Sequence, residues 1–271
     1  MNTQSLIPLV LLLIAILSAG LSYAIMRLTY HPKCHASLTE KFDGMNIAGL
    51  NSGAVILLSL GLAFVFNDIA DVHNRVKTAV LQEADALRTL GRATLNLDPS
   101  IGIPLMKATR EYTEAVLHKE WPELKSGRST EIRNGHHSAL EPLAVMSDIV
   151  YSPETHAKVS NTTSMQLNVL VSRIREHRLL RIDTSGFTIG RRGLLLAALT
   201  LLASSTILSL AMLRKKSIQL MSNFFLFWVT VSAMYLAFAA QNPFDGLDLV
   251  SNAPLQEALE RLQAMHIGHS K

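Results

Sequence analysis

Four long stretches of this chain contain no ionisable side chain, and they constrain the fold more than any other feature. A hydrocarbon layer about 30 Å thick needs about 20 helical residues with nothing charged at the centre. Residues 6–26, 45–66, 193–213 and 217–240 each meet that requirement. Arg27, Lys33, Glu40, Lys41 and Asp43 separate the first two runs, and only Arg214, Lys215 and Lys216 separate the last two. The expected fold class is therefore an all-α membrane protein, with four transmembrane helices in two hairpins flanking an antiparallel helical bundle exposed to water. The boundaries fall at 1–67 for the first hairpin, 68–190 for the bundle, 191–240 for the second hairpin, and 241–271 for a C-terminal turn and amphipathic helix.

The first run has no basic residue ahead of it and is long enough to span. It reads as a retained anchor, although Ser22, Tyr23 and Ala24 imitate a small-x-small cleavage site. The formal charge of +4 comes from basic residues interspersed with acidic ones, with no aromatic-interleaved basic patch, so nucleic acid is not an expected partner. Cys34 is the sole cysteine, which excludes an intramolecular disulfide and leaves the water-exposed part to be held by packing. His31, Cys34 and His35 offer three soft ligands but no closed set, and His136-His137 near Glu141 reads as a solvated helix face, so no metal site is expected. There is no nucleophile elbow, glycine-rich phosphate loop or HExxH helix, so the chain is expected to be no enzyme, with no catalytic residue and no cofactor. Glu83, Glu111 and Glu120 are expected in interhelical hydrogen bonds or ion pairs.

Between the hairpins the apolar period is helical. Val72, Val76, Val80, Ala84, Leu87, Gly91 and Thr94 recur at steps of three and four, which predicts one helix continuous with the second apolar run. Asn96-Leu97-Asp98-Pro99 ends it. A second helix is expected from about Pro104 to Trp121-Pro122, a third from Ser129-Thr130 to Tyr151, and a fourth from Ser152-Pro153-Glu154 through Leu167, Leu170, Val171 and Ile174 toward Arg181. An even number of helices returns the chain to the membrane surface that it left. Leu255, Ala258, Leu259, Leu262 and Met265 form one face of a last helix, which either lies on the membrane or docks on the bundle.

Three short motifs carry a resemblance. Gln82-Glu83-Ala84 opens a helix rich in Leu and Arg, Tyr112 precedes Lys119-Glu120-Trp121-Pro122, and Pro243-Phe244-Asp245-Gly246 follows the last apolar run. In order and placement the chain resembles the bestrophin-like family over residues about 45 to 260. These are bacterial multi-pass membrane proteins of unassigned function, distantly similar to bestrophin anion channels. The resemblance implies a bacterial inner membrane location, a homo-oligomer in the lipid bilayer, and a pore for small anions such as chloride, lined by the second span with a hydrophobic constriction. It also implies structural roles for Glu83, Tyr112, Glu120, Trp121, Pro122, Pro243, Phe244 and Gly246. The chain has no acidic run like the calcium clasp of animal bestrophins, so calcium gating is not expected.

On the second run, Ser52, Ile56, Ser59, Ala63 and Phe66 share one helical face that mixes hydroxyls with apolar positions able to form a constriction. Gly49, Ser52, Gly53, Ser59 and Gly61 are equally the small residues by which membrane helices pack closely. No ionisable group interrupts a run, which argues against a proton-coupled carrier. A membrane-anchored scaffold or ligand sensor without transport is the alternative. For orientation, Arg27, Lys33, Lys41 and Arg214, Lys215, Lys216 lie in short loops on one side and favour a bundle outside the cytoplasm. Arg75, Lys77, Arg178, Arg181, Arg191 and Arg192 flank the other side and, with the resemblance, oppose it.

Overall fold

The computed structural model describes residues 3–30, 47–135, 138–185, 199, 201, 203–207, 216–245 and 249–269. Most of the third apolar run, the first loop with His31, Cys34 and His35, and also His136, His137 and Gly246 lie outside the described residues. Every described element is a helix. In chain order they are α1 (Thr3–Thr29), α2 (Ile47–Thr94), α3 (Pro99–Ala115), a π turn (Val116–Glu120), α4 (Trp121–Lys125), α5 (Ser129–Arg133), α6 (Leu140–Tyr151), α7 (Pro153–Lys158), α8 (Asn161–Ser185), α9 (Lys216–Ala240) and α10 (Ala253–His269). As the periodicity predicts, α2 continues without a break from the second apolar run through Thr94.

The interior helices begin and end differently from the sequence expectation. α3 starts at Pro99, five residues before Pro104, because Asp98 caps it: its carboxylate accepts from Ser100 N at 2.9 Å and from Ser100 Oγ at 2.6 Å. Proline is well suited to the first helical position, where no N–H is needed. Pro104 then sits inside the helix, where it forgoes one bond to the Ser100 carbonyl. The helix also passes Trp121-Pro122, through the π turn, to Lys125. The expected third helix is two, α5 and α6, and the expected fourth is split into α7 and α8. Gly127 (φ 74°) and Gly135 (φ 86°) supply the left-handed turns on either side of α5. Ser152 caps α7 by accepting from Thr155 N at 3.2 Å.

The chain divides into two compact units. One comprises Met1–Ile69 with Thr188–Gln241, and the other Ala70–Phe187 with Asn242–Lys271. In the first, α1 packs along α9, and Gln219 Nε2 near the start of α9 donates to Thr29 Oγ1 at the end of α1 (3.0 Å), so the pair is antiparallel. In the second, the core gathers Val76, Val80, Leu87 and Leu90 of α2, Leu105, Tyr112 and Val116 of the next helix, Met146 and Val150 of α6, and Leu167, Val171 and Ile174 of α8. α10 docks on this bundle through Leu255, Ala258 and Leu262, which settles the choice left open by the sequence. Gly91 is the reason it fits. A Cβ there would overlap Leu262 Cδ2, so the leucine occupies the space that a side chain on α2 would take.

By length and composition one helix among the described residues, Ser217–Ala240, satisfies the requirement for crossing a membrane, and Ala15–Thr29 is apolar but shorter.

Candidate functional site

The second unit buries four charges in its core. Glu83 on α2, Glu120 at the end of the π turn, and Arg178 and Arg181 on α8 are all shielded from solvent, with Glu83 and Arg181 at 0% exposure. Taking one such charge out of water costs several kcal/mol, so a set of them persists only when every member is paired and hydrogen-bonded. Arg181 Nε donates to Glu83 Oε2 at 2.9 Å, and its Nη2 is shared between Glu83 Oε1 (3.2 Å) and Glu120 Oε2 (2.9 Å). Arg178 reaches Glu120 Oε1 with Nε (2.9 Å) and Nη2 (2.6 Å), and its Nη2 also donates to Ser138 Oγ at 2.9 Å. Tyr112 OH donates to Glu83 Oε1 at 2.6 Å, and Ala139 N–H donates to Glu120 Oε1 at 2.8 Å. Two carboxylates face two guanidiniums, so the set is neutral overall. Arg181 Nη1 has no hydrogen-bond partner among the described residues.

The titration behaviour follows from these contacts. Burial, reinforced by the Glu83 carboxylate, pushes the Tyr112 phenol well above its usual range, so it stays a donor. Burial alone would raise Glu120, but Arg181 and Arg178 outweigh it and hold the carboxyl below its ordinary range. Burial likewise opposes charge on Arg181, and Glu83 and Glu120 overcome it. The network is closed to solvent, and what it can do chemically is fix α2, the π-turn helix and α8 in one register.

The π turn is what places Glu120. On α3 the inward residues are Leu105, Ala108, Tyr112 and Ala115. Continued at α-helical spacing, four beyond Ala115 and seven beyond Tyr112, that stripe would turn Lys119 into the core. A π turn takes up one extra residue and advances the register by one, so Lys119 is exposed while Glu120, Trp121 and Leu124 are buried.

Among the family-motif residues, Glu83, Tyr112 and Glu120 therefore meet in one network. Trp121 packs edge-on against Phe244 with ring centroids 5.1 Å apart and planes at 89°. Pro243 is buried beside it, and Asn242 Oδ1 accepts from Phe244 N (3.0 Å) to hold the turn. Pro122 is exposed and joins no cluster. Glu111 lies outside the network, 3.8 Å from Lys107 on its own helix. Arg178 and Arg181, which the sequence places among the charges flanking the membrane, are buried in this network. They therefore do not belong in that tally, and the opposing flank is reduced to Arg75, Lys77, Arg191 and Arg192. Their spacing carried the signal, because they continue the buried Leu167, Val171, Ile174 stripe at steps of four and three.

The five proposed lining residues lie on α2 and all are exposed, with Ile56 at 65% and Phe66 at 40%. Taking about 100° per residue, Leu58, Val65 and Ile69 form a buried stripe within about 20° of one direction. The lining set spans about 80–160° from it. Ser59 Oγ donates to its own Val55 carbonyl at 2.9 Å, so that hydroxyl is turned to the backbone. A Cβ on Gly53 or Gly61 would meet nothing within 4 Å among the described residues, so neither glycine makes a close packing contact there. Among the described residues no group of three His, Cys, Asp or Glu side chains is placed to hold a metal ion.

Solved structures share the fold. A bacterial bestrophin homologue from Klebsiella pneumoniae, determined by zinc phasing, superposes with TM-score 0.60 at 15% identity, covering 94% of this chain and 97% of its own. A point variant of the homologue from that organism gives 0.66 at 13%, covering 94% and 98%. A structure described as a membrane protein gives 0.65 at 14%, with the same coverage. No curated protein sequence matches the chain. The family model of the bestrophin-like domain matches residues 46–255, and the chain belongs to the bestrophin-like family.

Proposed function

We propose that the chain is a multi-pass membrane protein that assembles as a homo-oligomer and conducts small anions such as chloride along the α2 face formed by Ser52, Ile56, Ser59, Ala63 and Phe66. The observation that carries this reading is the split character of α2. Its Leu58, Val65 and Ile69 are buried within the chain, while the opposite side, aliphatic and aromatic with small hydroxyls, is left exposed. Repeated around an axis, such a face makes a narrow apolar passage that dewets easily. Membership of the family, with its resemblance to bestrophin channels, supplies further support. The four spans are the four uncharged runs, and the bacterial inner membrane is their setting.

Chloride efflux from proteoliposomes tests the reading. Protein in sealed vesicles should release chloride, and Ile56→Ala or Phe66→Ala should raise the flux by widening the constriction. Vesicles that stay chloride-tight with correctly assembled wild type and both variants would overturn it.

A further inference from the structure

We propose that a cavity between α2 and the start of α10 binds a phosphate-class oxyanion, with Lys77 as the charged anchor and Asn74 and Ser251 as neutral donors. The cavity holds about 240 Å³ and is lined by His73, Asn74 and Lys77 of α2 and by Ser251 ahead of α10, over an apolar floor that includes Val80 and Val250. It lies wholly within the second unit. None of its lining residues is acidic.

Lys77 shares with Lys119 and Lys125 the lack of an ion pair among the described residues, but Lys119 lines a cavity with Glu111, Glu114 and Glu141, whereas no acidic residue lines the cavity of Lys77. Lys107 faces Glu111 and Lys158 faces Glu154, each one turn along its own helix. One turn from Lys77 in either direction stand His73, Asn74, Val80 and Leu81, so nothing on α2 neutralises it, and no ion pair engages it among the described residues. The first turn of α10 adds a field and not donors. Ala253 N is taken by Ser251 Oγ at 3.1 Å, Leu255 N and Gln256 N reach the Asn252 carbonyl, and Pro254 has no N–H. The positive end of a 17-residue helix therefore faces the cavity region with its N–H groups already used. Because Ser251 Oγ accepts from Ala253 N, its own proton is left to donate outward.

Size selects the ligand class. At about 30 Å³ per water, the cavity has room for several waters, so a bare halide would leave most of it unfilled. A tetrahedral oxyanion offers several acceptor oxygens to an ammonium, an amide and a hydroxyl at once. Two sources share that chemistry, free phosphate and the phosphodiester of a lipid headgroup. Under the four-span reading His73 lies about two turns beyond Phe66, on the same helix, which favours the headgroup.

The test uses full-length protein in a neutral, phosphate-free detergent. Inorganic phosphate is titrated by calorimetry with thermal unfolding as a second readout, and retained phosphatidylglycerol is compared with phosphatidylcholine by native mass spectrometry. Either phosphate binding or selective retention of the anionic lipid is the expected result, and which of the two is seen names the source. Lys77→Met should weaken it about tenfold or more, while Lys107→Met leaves it unchanged. Circular dichroism checks that each variant is folded. Binding of neither probe, equal binding by Lys77→Met, or equal stabilisation by chloride overturns the proposal. Binding is read without flux, so chloride-tight vesicles would leave it standing.

Discussion

The two units solve the burial problem in opposite senses. The first turns apolar side chains outward, with Leu17 at 72% and Val229 at 57% exposure, and keeps Ser18, Ser22, Gln219, Asn223 and Thr230 inside. The second collects its apolar residues in a core and, beside neutral buried groups such as Thr109, Thr113 and Thr155, also buries four full charges in pairs. A surface of that kind suits an apolar surrounding, where association depends on packing and on neutral hydrogen bonds. An apolar core under a charged surface suits water, which drives apolar burial strongly enough to carry the desolvation of four charges. The comparison teaches that, among the described residues, neutral buried groups occur in both units and compensated buried ions mark the second.

The sharpest way to break the comparison is to leave a carboxylate uncompensated. Arg181→Met removes both bonds to Glu83 and one to Glu120, and should destabilise the bundle by about 3–5 kcal/mol in denaturant unfolding. Adding Glu83→Gln to that variant should recover part of the loss, since the remaining Glu120–Arg178 pair is balanced. A double variant no better than the single would show that the set is not one electrostatic unit.

A smaller effect tests apolar packing. Gly91→Leu places a side chain where Leu262 sits, and should cost about 1–3 kcal/mol. Faster hydrogen exchange across Leu255 to Met265, with the α2–α8 contacts still protected, is the expected readout.

Acid sharpens the contrast next. Glu120 is held below its ordinary value of 4.5, so its contribution is fully present above that pH and is lost as pH falls through the lower folded value. The slope it adds cannot exceed about 1.4 kcal/mol per pH unit. Glu120→Gln should flatten the acid limb of bundle stability and leave the first unit unaffected. The smallest effect belongs to that unit: Gln219→Leu, which removes the bond to Thr29, should cost only about 0.6 kcal/mol in bilayer unfolding. A loss as large as that of Arg181→Met would erase the distinction.

Much of this was legible in the residues. The period from Val72 to Thr94 gave the continuous α2, and three dispersed motifs pointed to Glu83, Tyr112, Glu120, Trp121 and Phe244 as structural positions. Their convergence was hidden because the guanidiniums that join them sit where arginine ordinarily reads as surface. Pro104 drew the start of α3 too late, since proline marks a first turn more often than a sixth position, and Asp98 with Ser100 was the stronger cap. The cavity beside Lys77 had no motif at all, because its walls come from segments about 170 residues apart and only folding brings them together.

The π turn has a consequence for insertion and deletion. It holds one residue more than an α-helix of the same span, so the helix can lose one residue there without moving either flank. Deleting His118 should convert Val116–Glu120 to α-helix and leave Glu120 facing Arg178 and Arg181, whereas deleting Glu111, ahead of Tyr112, would swing Tyr112 off Glu83. Length variation among relatives should therefore be tolerated at this turn, as a one-residue gap in which an ordinary helix replaces the bulge and the ionic network keeps its place.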